Sequence, residues 1–237
     1  MAGRAWQQVL EHIEQEFLSA RLGPGDRLPS ERELAAELGV GRSSIREAFR
    51  VLEIIGLIRT STGSGPSSGA IVVATPSEGL SVLMRLQVAA QGFPLADVVH
   101  TRLVLEDAVA DSLASNDSRD LTQSLLLLDA MDADGLSVED FLALDAQFHL
   151  SLAEASGNIV ITAMMAGLRT AIESYVLAGS AQIDDWDAMT VRLRAEHHDI
   201  VAALDAGDAD SARHRVHDHI AGYYNATGLT TNTGKND

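Results

Sequence analysis

The sequence predicts a mainly α-helical protein in two parts: an N-terminal winged helix-turn-helix domain and a C-terminal all-helical bundle of about seven helices. Three observations predict it. Helical periodicity gives way to two short β-like runs, Leu57 to Thr60 and Ala70 to Ala74, around a Gly/Ser-rich turn. After Thr75-Pro76, apolar residues recur at helical spacing almost to the end, broken at glycines, at Asn116-Asp117 and at Gly92-Phe-Pro94. Charge divides at the same place. Residues 1–75 hold 8 Arg against 9 Asp and Glu, net −1, while residues 76–237 hold 8 Arg and 1 Lys against 25, net −16. A nucleic-acid surface is thus feasible on the first part and implausible on the second.

The 237 residues suit two domains of ordinary size, and 46% hydrophobic with 22% charged residues is globular composition. No run of 18 or more apolar residues occurs and Met1 to Leu10 lacks a signal peptide's apolar core, so no membrane association is expected. The absence of cysteine excludes disulfides, thiolate metal sites and cysteine nucleophiles, and fits a cytoplasmic protein. The expected division is 1–75 as the winged helix-turn-helix domain, 76–78 as linker, 79–227 as the helical domain and 228–237 as a disordered tail.

In the first part, Leu22-Gly-Pro-Gly-Asp-Arg-Leu-Pro29 is a turn-rich lead-in to a helix over 30–38. Ser30 and Glu33 have capping-box spacing, the hydroxyl serving the third amide while the glutamate reaches back. Gly39 supplies the turn, and a second helix runs from about Gly41 to Ile55 with Gly56 as its stop. Ile45, Ala48, Phe49 and Leu52 make the packing face of that second helix, and Arg42, Ser43, Ser44 and Arg46 cluster at its start. A recognition helix meets DNA there: arginine can pair bidentately with guanine, and serines and free helix amides suit phosphate. The glycine loop, with Gly63, is the tip of a β-hairpin wing that can approach the backbone or minor groove.

The stretch Pro24-Gly-Asp-Arg-Leu-Pro-Ser-Glu-Arg-Glu-Leu-Ala35, then Leu38-Gly-Val-Gly-Arg42, Ile45-Arg-Glu-Ala48 and Leu52-Glu-x-x-Gly-Leu-Ile58, resembles the winged-helix domain of GntR-family bacterial transcription regulators. The resemblance implies DNA contacts from Arg32, Arg42 and Arg46, a homodimer and a short palindromic operator of double-stranded DNA. Two departures stand out: Gly41 replaces the family's usual Ser or Thr at the helix N-cap, and the wing is longer.

In the second part the predicted helices are 77–91, 95–115, 118–132, 137–156, 158–179, 183–206 and 208–225. Asp145 and His149 lie four apart on one helical face beside Phe141, Leu144, Phe148 and Leu152. His197 continues the stripe Leu193, Ile200, Leu204, and His219 the stripe Ala212, Val216, Tyr223. One histidine on an apolar face is most simply a buried imidazole bonded to a carbonyl. Four such groups on three helices point to a divalent metal. Without sulfur the ligands are nitrogen and oxygen, which suits Zn foremost and also Ni, Co or Mn. His198, His214 and His217 are expected to face solvent.

Three neutral histidines and one aspartate leave net positive charge on the ion, which favours an anionic chelating ligand such as a small carboxylate. Arg102 lies in the apolar register Leu95, Val98, Leu105, Val109, so it needs a partner. That partner is either Glu106, four residues on, or the carboxylate of an effector. The set Arg102-x-x-x-Glu106, Asp145-x-x-x-His149, Ser156-Gly-Asn158, Glu196-His197 and His219 resembles the FCD-type ligand-binding domain of the FadR branch of the same family. That resemblance implies a bound metal and an organic acid beside it.

The sequence thus predicts a ligand-responsive transcription regulator, a repressor, that senses a small organic acid, and not an enzyme. One alternative is a metal-dependent hydrolase or isomerase fused to a DNA-binding domain, with Glu196 as the nearest general base in sequence. No Ser-His-Asp elbow, phosphate-binding glycine loop or His-Glu-x-x-His motif supports it. The other alternative is a regulator whose metal is only structural.

Overall fold

The computed structural model describes residues 2–61, 69–74 and 76–229, with the side chains of 2–4 and 76–78 left aside. The chain forms two compact units, Met1–Leu80 and Ser81–Asp237.

The first unit contains α1 (Ala2–Leu18), α2 (Glu31–Leu38), α3 (Arg42–Ile54), β1 (Ile58–Ser61) and β2 (Gly69–Val72). Helix α2 starts as its sequence demands. The Ser30 hydroxyl accepts from the Glu33 amide, and the Glu33 carboxylate accepts from the Ser30 amide at 2.8 Å. It stops at Gly39, whose φ of 65° places it in the left-handed region, where glycine carries no Cβ penalty. Helix α3 has Gly41 as N-cap and no side-chain capping bond, so the departure seen in the sequence is a real local weakness. Val9 and Ile13 of α1 pack with Leu34, Ile45, Ala48, Leu52, Ile58 and Val72 into one core.

Strands β1 and β2 pair antiparallel with Ile58 opposite Val72 and Ser61 opposite Gly69. The other edge of β2 is also occupied. Leu28 donates to the Ala70 carbonyl at 3.0 Å and Val72 to that of Asp26 at 2.9 Å. The turn-rich lead-in to α2 therefore doubles as a short third ribbon, which nothing in its composition announced. The wing tip, Gly63 included, lies outside the described residues.

Helix α4 (Pro76–Ala89) begins where a linker was expected at 76–78, and the division between the units falls inside it. Then follow α5 (Leu95–Ala114), α6 (Thr122–Met131), α7 (Val138–Ala155), α8 (Ile159–Ser180), α9 (Trp186–Asp205) and α10 (Ala209–Ala226). Two starts fall later than periodicity suggested, for a local reason. Asn116 and Asp120 accept from the amides of Ser118 and Thr122, holding 116–121 as turns before α6. Asp185 accepts from the Ala188 amide and so caps α9 beyond residue 183. Phe141, Phe148, Leu152, Leu193, Ile200 and Leu204 lie at the centre of the bundle core. Helix α8 is the one described helix long and apolar enough to cross a membrane, a candidate not anticipated from the sequence. Its Met165, Leu168, Ala171 and Ile172 are buried in the bundle, while Ile159, Val160 and Met164 are exposed.

Candidate nucleic-acid interface and metal centre

On the first unit, Arg42, Ser43 and Arg46 are exposed at the start of α3, and Arg32 is exposed on α2. Ser44 differs from the expectation. It is 9% exposed, whereas Ser43 beside it is exposed. Sequence reasoning also passed over Arg50, exposed one turn beyond Arg46, although its spacing of four was visible. Arg46 is held: its Nε donates to Glu31 Oε2 at 2.8 Å. Among the described residues, no carboxylate lies within ion-pair distance of Arg32, Arg42 or Arg50.

On the second unit, α7, α9 and α10 bring Asp145, His149, His197 and His219 together, with one ligand atom from each lying within 4.8 Å of the others. Asp145 Oδ1 is 3.0 Å from His197 Nε2 and 3.5 Å from His219 Nε2. His149 Nε2 and both ring nitrogens of His197 are buried without a hydrogen bond, the approach of Asp145 to His197 being close but poorly aligned. Buried imidazole nitrogens with no acceptor or donor are costly. A divalent cation among them would take the Nε2 lone pairs of His149 and His197, so the residues present fit a metal.

Two carboxylates stand behind the imidazoles. Glu106 Oε2 faces His149 Nδ1 at 3.0 Å, and Glu196 Oε2 faces His219 Nδ1 at 2.9 Å. Each favours the proton on Nδ1 and turns the Nε2 lone pair inward, the usual outer support of a metal-bound histidine. Glu196 diverges from His197, as helix geometry requires, and its carboxylate is engaged by His219 and by Arg192 at 3.1 Å. It is therefore not free to act as a base beside the ligand set. Glu106 also accepts from Arg102 Nε at 3.1 Å, and Arg102 Nη1 donates to the Tyr224 hydroxyl at 3.2 Å. The internal salt bridge considered for Arg102 exists, and it occupies only part of the guanidinium.

Electrostatics follow the geometry. Burial would raise Glu106, yet His149 and Arg102 bring its pKa down to about 2. Burial would lower Arg102, but Tyr224, Glu106 and Asp145 outweigh it and keep the guanidinium charged. Asp145 likewise stays ionised despite burial, because the imidazoles of His197 and His219 lie 3.0 and 3.5 Å from its carboxylate. Burial and the neighbouring His219 push His197 down to about 4, which leaves a neutral imidazole at pH 7, the form a metal binds.

Beside this set opens a cavity of about 130 Å³. Arg102, Glu106, Asp145 and His149 line it next to the donor set, Glu139, Glu173 and, from α8, Arg169 add further charged groups, and Leu142 and Ile172 contribute apolar wall. Neither Tyr224 nor Arg169 was singled out in the sequence. His198, His214 and His217 are exposed at the surface, as expected.

A helix-turn-helix head with a helical unit that encloses a cavity and a metal-type donor set defines the class of DNA-binding transcription regulators. Comparison with known proteins gives the family. Residues 5–66 match "Bacterial regulatory proteins, gntR family", and residues 97–222 match the FCD domain. The HTH-type transcriptional repressor NanR of Klebsiella aerogenes is 31% identical, over 90% of this chain and 82% of the relative. NanR of Escherichia coli K12 is 28% identical, over 97% and 88%. In fold, the chain is similar to a solved Streptococcus agalactiae GntR protein, with a TM-score of 0.60, 24% identity and coverage of 94% of this chain and 98% of the other. The chain belongs to the GntR family, with an FCD ligand-binding domain, and is a transcription regulator and not an enzyme.

Proposed function

We propose that the chain is a repressor whose hold on DNA is controlled by a small carboxylate bound next to a divalent metal. The observation that carries this reading is the convergence of three imidazoles and Asp145, two of which, Asp145 and His149, line a cavity that Arg102 also lines. Asp145, His149, His197 and His219 would hold the ion, Zn foremost with Ni, Co or Mn as alternatives for a nitrogen and oxygen set. Three neutral imidazoles and one carboxylate leave it net positive, and Arg102 adds a second positive group. An anionic ligand satisfies both. The NanR relatives are named repressors, which supports repression here.

The DNA-binding surface comprises Arg32, Arg42, Ser43 and Arg46, with the Gly63 wing as a further contact. Two copies of the head on a two-fold axis suit a palindromic operator with half-sites about one helical turn apart. Effector binding would alter the helical unit and so the spacing of the heads, lowering DNA affinity. This role places the protein in the cytoplasm with its DNA.

Elemental mass spectrometry on protein purified without a histidine tag or chelator tests this, followed by thermal shift with small mono- and dicarboxylates. The expected result is a stoichiometric divalent ion, and stabilisation by a carboxylate that needs both the ion and Arg102. His149→Ala should lose the ion and the carboxylate response together. Metal retained in that variant overturns the ligand assignment.

A further inference from the structure

Of the four exposed arginines on α2 and α3, Arg46 alone is paired with a carboxylate among the described residues, and the manner of the restraint is informative. Glu31, in the first turn of α2, reaches across to α3 and accepts from Arg46 Nε at 2.8 Å. That bond uses the inner donor of the guanidinium. The two outer nitrogens, Nη1 and Nη2, have no partner among the described residues, and the Arg46 side chain is 63% exposed. The outer pair is the fork that fits O6 and N7 of guanine.

A contact to phosphate tolerates a loose side chain, because the phosphate's charge is accepted from many directions and carries no sequence information. Bidentate pairing to a base edge does not, because both hydrogen bonds need one orientation of the guanidinium plane. The neighbouring Glu33 serves a different purpose, since its carboxylate is committed to the Ser30 amide in the capping box. Two glutamates of one short run thus divide between helix start and arginine orientation.

We infer that Glu31 is a specificity-determining positioning residue, which holds the Arg46 fork for a guanine in each half-site while Arg32, Arg42 and Arg50 serve the phosphates. The inference rests on the proposed use of α3 as the recognition helix. It differs from treating the Glu31–Arg46 pair as surface stabilisation, because an exposed pair of this kind contributes little to folding.

The experiment is selection from a duplex pool with a randomised core, using full-length wild type, Arg46→Ala, Glu31→Ala and Glu31→Gln, with Tm measured for each. Wild type should select a two-fold motif, and Arg46→Ala should lose preference at one base pair per half-site. Glu31→Ala should blur that same base pair, cutting discrimination there by about tenfold, with binding to an unselected duplex unchanged or stronger because a carboxylate has left the surface. Glu31→Gln, whose amide oxygen still accepts from Nε, should recover most of the preference. Tm should fall by no more than a few degrees throughout. If Glu31→Ala keeps the preference that Arg46→Ala loses, the positioning role is overturned while the recognition-helix reading stands. If Arg46→Ala leaves the motif intact, or wild type selects none, the base contact itself is wrong and the inference falls with it.

Discussion

Glu106 shows how much one side chain decides in this protein. It is 1% exposed and divides its two oxygens between Arg102 and His149, so a single carboxylate orients both an imidazole of the proposed metal site and an arginine that lines the cavity. Its ionised form stands between two positive or polar partners, and a neutral isostere can serve only one of them well. Glu106→Gln is therefore expected to weaken divalent metal binding by about 10–100-fold, measured by competition with a chromogenic chelator. The same substitution leaves Arg102 without its buried counter-charge and should cost about 3–5 kcal/mol in chemical denaturation. Unchanged metal affinity in a folded variant would mean that His149 needs no outer support.

At the level of elements, α2 and α3 differ in how their ends are made, and two glycines separate the causes. Gly41 caps α3 with ordinary extended backbone, φ −71° and ψ 147°, and a Cβ there would meet nothing nearer than Ser43 Oγ at 3.5 Å. A hydroxyl at this position can accept from the α3 amides, and any Cβ restricts the unfolded chain. Gly41→Ser should therefore stabilise the head by about 0.5–1 kcal/mol. Gly39 also has open space around it, but its φ is 65°. Gly39→Ala should destabilise by about 1–2 kcal/mol through backbone strain alone. Urea denaturation of the two variants checks both signs; equal effects would remove backbone conformation as the reason. Local rules of this kind made most helices legible beforehand. The starts of α6 and α9 were displaced because polar side chains at 116, 120 and 185 bond to nearby amides more favourably than a further helical turn would.

For the whole molecule, the two units have separate hydrophobic cores, one built on Val9, Leu34 and Ile45 and the other on Phe141, Phe148 and Leu193. A metal at the four-ligand site belongs to the second alone. Saturation at about a hundredfold above its Kd stabilises that unit by about 2.7 kcal/mol. Chelation should thus lower one calorimetric transition by about 5–10 °C and leave the other in place. A shift of both transitions together would show that the units unfold as one.

Sequence by itself determined what is local or periodic. The helix-turn-helix, the capping box, the hairpin strands and seven helices of the second part are written in caps, glycines and apolar spacing, whose energetics act within a few residues. The four metal-type ligands were legible for the same reason, since their registers place them on buried faces. Tertiary structure alone decided which groups stand behind them. Glu106 lies 43 residues from His149, Glu196 lies 23 from His219, and Tyr224 lies 122 from Arg102. It also left Ser44 largely covered, paired Arg46 with Glu31 across two helices, and laid the 26–28 segment along β2. These outcomes depend on which helix faces meet. Packing of whole elements settles that, and no short stretch of chain encodes it.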